Sequence, residues 1–210
     1  MSIPPTKKAN PRRRHPQDAE PFDRFGVLLE EAQKFCAGVG LHKDLILEIS
    51  ESDSDWAFIL KIDALLETAT KTVVRHALRL KILNRVFHND ALGEFVDSLP
   101  INDRTSIVKL LDAAGCPTED IGFIEATRRV RNAYAHQIKL VDVSLIELIK
   151  QRPDRSDLLR KLSAIKTFVE ADLIATYEKD HGFLRFCILD STMRVLFFAY
   201  QVAVKIVPKK

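Results

Sequence analysis

Residues 128–137 read RRVRNAYAHQ, three arginines followed by an asparagine and then a histidine set between an alanine and a glutamine. An imidazole beside a guanidinium can cleave a phosphodiester without a metal ion. His136 would take a proton from a ribose 2′-hydroxyl or return one to the leaving oxygen, since an imidazole ordinarily titrates near pH 6.5. Arg131 would brace the phosphoryl oxygens as negative charge builds on them, and Asn132 would orient the histidine or hold a phosphate. Arg128 and Arg129 add positive charge for a nucleic-acid backbone, and Tyr134 either stacks on a base or fills the core. A plainer account also covers the stretch. Cations close to a helix C-terminus are favourable by ~0.3–1 kcal/mol, and the histidine then needs no function.

The element that must carry these residues runs over 119–136. Acids follow Pro117 and Thr118, which suits the first turn of a helix. At roughly 100° per residue Asn132 and His136 share a face, and Arg128 extends the same stripe. Arg131 and His136 lie five residues apart, roughly 140° around the helix. Arg131 therefore joins the histidine through its long stem, through a distortion near His136, or through a second subunit.

Apolar residues recur at helical spacing along the rest of the chain. Helices are expected over 22–38, with a glycine stop at Gly38 and Gly40, and over 41–50, 52–80, 89–99 and 101–115, the last stopping at Gly115. Further helices are expected over 116–136, 142–151, 155–180 and 183–207. In the long 52–80 stretch Ile59, Ile62, Leu65, Leu66, Ala69 and Val73 follow Ser and Asp capping residues at spacings of three and four. No long alternating stretch suggests a sheet. Seven glycines and 46% hydrophobic residues in 210 agree with one all-α domain of about seven to nine helices, residues 22–210.

Residues 1–21 hold five prolines and no apolar period, and are expected to form a disordered arm. The arm carries Arg12, Arg13 and Arg14, a run that either touches phosphates or a partner, or merely solubilises. It holds the whole net charge of +3, leaving 27 basic and 27 acidic residues in the body. A protein that coats nucleic acid with its whole surface is thereby excluded, and contact with a polyanion falls to a local patch or to the arm. Cys36, Cys116 and Cys187 are far apart and no Cys/His spacing suits zinc, so neither a disulfide framework, a metal nor a cofactor is expected, and a cytoplasmic setting is. The apolar stretch 183–207 is long enough for a bilayer, but Arg185, Asp190, Arg194 and Lys205 interrupt it. It is read as a core or interface helix, with no membrane contact. Gly-rich phosphate loops, GxSxG and HExxH are missing from the sequence.

RNAYAH at 131–136 resembles the R-x4-6-H signature of the HEPN superfamily, helical proteins that include many metal-independent ribonucleases. Asn132 and Ala135 match the polar residue and the alanine often found there. FILKIDALLETATKTVV at 58–74 resembles that bundle's long first helix, and LPINDRTSIVKLLDAAG at 99–115 its segment leading to a short helix and glycine turn. The arrangement looks similar to the mannitol-operon-repressor-like branch, over roughly residues 50–205. The resemblance implies Arg131 and His136 as catalytic residues with Asn132 as their polar companion, RNA as substrate, and a homodimer that brings two motifs into one cleft. A toxin or phage-defence effector with an antitoxin or regulatory partner would fit. So would a non-catalytic regulator binding protein or nucleic acid through the same groove, because some members of the branch lack the pair. Asp63 and Glu67, four residues apart, either face the motif or leave one of them to solvent or to a nearby lysine.

Overall fold

A computed structural model of the chain describes residues 21–82, 91–99, 107–163, 165 and 169–204. The arm, with Arg12, Arg13 and Arg14, lies outside the described residues except for Pro21, which opens the first helix. Among the described residues there is no strand, and ten α-helices form one all-α domain. They are α1 (Pro21–Gly38), α2 (Leu45–Ser50), α3 (Asp55–Ile82), α4 (Ala91–Ser98), α5 (Val108–Ala113), α6 (Thr118–His136), α7 (Leu145–Lys150), α8 (Arg155–Ser163), α9 (Glu170–Lys179) and α10 (His181–Ala199).

Ten helices arise where nine segments were expected because 155–180 is not continuous. α8 ends at Ser163, whose hydroxyl donates to the Leu159 carbonyl and accepts the Ile165 N–H, and α9 begins at Glu170. Elsewhere the boundaries follow local chemistry. The Ser54 hydroxyl accepts the Ala57 N–H at the start of α3, and the Asp180 carboxylate accepts the Gly182 and Phe183 N–H groups at the start of α10. α1 and α5 end in the same way, with glycines at φ +79° and +83° (Gly40 and Gly115). The residue after each glycine donates back five positions, Leu41 to Cys36 and Cys116 to Leu111.

α10 is the central helix. It packs on α1, α3, α6, α8 and α9, and Leu184, Ile188, Met193, Leu196 and Ala199 are buried along it. Its three described charges are all paired, Arg185 with Asp55, Arg194 with Asp120 and Asp190 with Arg24, which lets an interrupted apolar stretch lie inside a bundle. Among the described residues no helix is long and apolar enough to cross a membrane. Beyond Ala199 the helix widens into a π turn, Tyr200–Val204. Cys36, Cys116 and Cys187 are buried and unbonded, and burial pushes the Cys36 thiol up to about 11 and Cys116 up to about 12.

Candidate functional site

α6 turns Phe123, Ala126, Thr127, Val130 and Tyr134 into the core at spacings of three and four. This stripe fixes where the flanking polar residues point. Tyr134 takes the core-filling one of its two readings and is removed from the set of nucleic-acid contacts. It is 1% exposed, and its hydroxyl donates to the Val143 carbonyl at 2.9 Å, so no ring face remains for a base. Burial raises its phenol well above the usual value.

The three arginines leave α6 on different sides and meet different acids. Arg128 pairs with Asp63 on α3 and stands 3.5 Å from Glu67. Arg129 turns the other way and is gripped by Asp154 at 2.9 Å and Asp157 at 2.6 Å, at the start of α8. Arg131 places Nε 3.5 Å from the same Asp63 oxygen that Arg128 meets, and donates from Nη1 to the Asn132 side-chain carbonyl at 3.2 Å. Asp63 is therefore a carboxylate shared by two guanidiniums, and only 6% exposed. Burial pushes its carboxyl up from the usual aspartate range, against the pull of Arg128 and Arg131. Asp157 goes the opposite way. Burial pushes it up, but hydrogen bonds from Arg129, Lys161 and Arg160 outweigh that and hold it well below the usual range. Asp154, bonded first by Arg152, is also held low.

Both alternatives open to the α3 acids are realised. Asp63 faces the motif, while Glu67 divides itself between Arg128 and Lys71, whose Nζ lies 2.8 Å away. The grip of Asp154 and Asp157 on Arg129 was not legible beforehand, because a separation of 25 and 28 residues carries no periodic signal.

His136 is the last residue of α6 and is exposed, as is Ala135 before it. Among the described residues the imidazole makes no hydrogen bond and no ion pair. The chain leaves the helix immediately afterwards, with Gln137 extended at φ −138° and ψ 91° and its N–H closing a tighter turn onto the Tyr134 carbonyl. The distortion therefore follows the histidine. Helical geometry holds up to His136, so Arg131 and His136 keep their separation around the axis, roughly 140°. Arg131 and Asn132 are brought together, and His136 stands apart from them within one chain.

Two grooves lie elsewhere on the described residues, one of them beside the start of this helix. A groove of about 410 Å³ opens where the first turn of α6 meets Lys161 and Arg194. Another of about 500 Å³ lies along α3, next to Lys71 and Arg75. Neither is lined by Arg131 or His136. Comparison with family models, with curated proteins and with solved structures finds no match to the chain.

Proposed function

We propose that the chain is a metal-independent endoribonuclease of HEPN type that acts on single-stranded RNA at a cleft formed by two copies, as a toxin or defence effector. The observation that carries this reading is the state of His136. An exposed imidazole with no partner among the described residues ends a helix whose Arg131 remains one-third exposed and whose Asn132 is already joined to that arginine. An imidazole with no stabilising contact of its own is free to exchange protons with a substrate.

The reaction is transesterification. The 2′-oxygen forms a bond to the adjacent phosphorus, the bond to the 5′-oxygen breaks, and a 2′,3′-cyclic phosphate and a 5′-hydroxyl result. His136 accepts the 2′-hydroxyl proton or supplies one to the departing oxygen, and Arg131 balances charge on the phosphoryl oxygens. Because the two side chains leave α6 roughly 140° apart, the complete set takes Arg131 from one copy and His136 from the other.

The rival reading is a non-catalytic helical regulator. What favours it is the bonding of Arg131, whose guanidinium is engaged by Asp63 and Asn132 as a structural group would be. The test is cleavage of a mixed-sequence single-stranded RNA in the presence of a chelator. Wild type should give fragments ending in a cyclic phosphate, and His136→Ala and Arg131→Ala should each lose cleavage while unfolding normally. Intact RNA with the wild type, or unchanged cleavage by both folded variants, overturns the enzyme reading. Light scattering checks the dimer, and a monomer at high micromolar concentration opposes it.

A further inference from the structure

The groove along α3 has a chemistry of its own. Thr68, Lys71, Thr72, Arg75 and His76 line it. They recur at i, i+3, i+4, i+7 and i+8, so they form one polar stripe on a helix whose neighbouring faces are buried. Opposite stand Val39 at the end of α1, Asp97 on α4 and Ala203 in the π turn. The volume of about 500 Å³ lies within the range of small-molecule sites, ~300–1,000 Å³.

The stripe has a definite polarity. Lys71 and Arg75 are four residues apart, which sets their Cβ atoms about 5–6 Å from each other on the same side. Each is held by a solvent-reached carboxylate, Lys71 by Glu67 at 2.8 Å and Arg75 by Asp97 at 2.5 Å. Pairs of that kind are weak and readily exchanged for a better anion. The Arg75 Nε is covered and, among the described residues, has no hydrogen-bond acceptor, so a ligand would meet the terminal nitrogens. A phosphate can meet those two nitrogens with two oxygens, which the single Asp97 contact does not. The hydroxyls of Thr68 and Thr72 donate to the carbonyls of Ala64 and Thr68, so their oxygens offer only acceptor lone pairs to the groove.

A complementary ligand thus has an oxyanion wide enough for two cations, hydroxyl donors next to it, and a flat body for Val39 and Ala203. We propose that the groove between α1, α3 and α4 binds a phosphorylated small molecule of mononucleotide size, its phosphate on Lys71 and Arg75 and its sugar hydroxyls on Thr68 and Thr72. The site shares no residue with the Arg131, Asn132 and His136 set, and it stands whether or not the chain cleaves RNA.

The experiment is calorimetric titration of the full chain with adenosine and guanosine monophosphates, pyrophosphate and adenosine. The nucleotides should saturate, adenosine should bind at least about tenfold more weakly, and affinity should fall as salt rises. Arg75→Ala and Lys71→Ala should each weaken the nucleotides by about tenfold or more, the loss expected for a charge-assisted bond. Thr72→Leu, which narrows the groove while keeping both cations, should weaken the nucleotides by about tenfold or more, and His136→Ala should leave their binding unchanged. Three results overturn the proposal. They are no saturation by any phosphate at about 1 mM, adenosine binding as tightly as its phosphate, and folded Arg75→Ala and Lys71→Ala variants of undiminished affinity.

Discussion

Removing the charge of Asp63 while keeping its shape tests the carboxylate that Arg128 and Arg131 share. Asp63→Asn leaves Arg128, whose side chain is 18% exposed, facing an amide in place of a carboxylate. Stripping one partner from a buried ion pair costs about 3–5 kcal/mol. The loss here should be smaller, because Arg128 keeps Glu67 at 3.5 Å and Arg131 is one-third exposed and keeps Asn132. Because burial outweighs both guanidiniums and already disfavours the charged carboxylate in the folded state, the net change should stay within about 1 kcal/mol, equivalent to roughly 2–4 °C in melting temperature for a domain of this size. The complementary change, Arg128→Met, leaves the carboxylate buried with Arg131 alone, and its effect must depend on pH. Burial already holds the Asp63 carboxyl above the usual range, and loss of Arg128 moves it further up. Below the unfolded value of about 3.9 the group is neutral in both states, and no penalty arises. As pH rises through the folded value, the folded state alone resists ionisation, and stability is lost. The Arg128→Met deficit should therefore be small near pH 4 and grow towards pH 7, whereas that of Asp63→Asn should not grow in this way. Urea unfolding followed by circular dichroism across that range, with the double variant closing the cycle, measures both effects. The double variant should be more stable than the sum of the singles by about 1–2 kcal/mol. An Asp63→Asn variant destabilised by more than about 2 kcal/mol, or a pH-independent Arg128→Met deficit, refutes the reasoning.

Three further outcomes are expected. Tyr134→Phe keeps the packing but leaves the Val143 carbonyl without its donor, so it should cost about 1–1.5 kcal/mol by chemical denaturation, with no change in RNA cleavage. Asp157→Asn loosens the clamp on Arg129. Because the native carboxyl is held low, the stabilisation is fully present above about pH 4 and fades as pH falls below it. At pH 7 the difference should be about 0.5–1 kcal/mol, since the groups are one-third exposed, and in urea titrations it should begin to shrink below about pH 4 and vanish only once pH falls through the depressed native value. Gly115→Ala should destabilise by about 1–2 kcal/mol, although open space surrounds the glycine, because φ +83° is unfavourable for a side chain. A neutral result by thermal melting would mean that the end of α5 rearranges.

Local chemistry accounts for most of what the sequence revealed. The Gly40 and Gly115 stops, the Ser54 cap and the apolar spacing of α3 depend on residues within four or five positions of one another, and each is visible in a window of that length. The division between α8 and α9 was not visible, because the apolar period continues across it and the local signal for the end is only the serine at 163. For α6, helical periodicity separated Arg131 from His136 correctly. It could not reveal that Arg128 and Arg131 share one acid while Arg129 answers to two others, since those choices are made by α3 and α8. The groove along α3 was written in the sequence as Thr68, Lys71, Thr72, Arg75 and His76, but such a stripe reads as ordinary solvated helix until Val39, Asp97 and Ala203 stand across from it.

The contrast between Asp63 and His136 sets different rules for how this sequence can drift. A neutral residue at position 63 leaves Arg128 with Glu67 alone, and a neutral residue at 128 leaves the buried carboxylate with Arg131 alone, so these two positions should change together. Position 136 carries no such debt to the fold, because its side chain is exposed and bonded to none of the described residues. Folding alone would let the histidine be replaced by almost any polar residue. Its persistence among diverged copies of this chain would therefore be a record of selection on chemistry, while joint change at 63 and 128 would be a record of selection on stability.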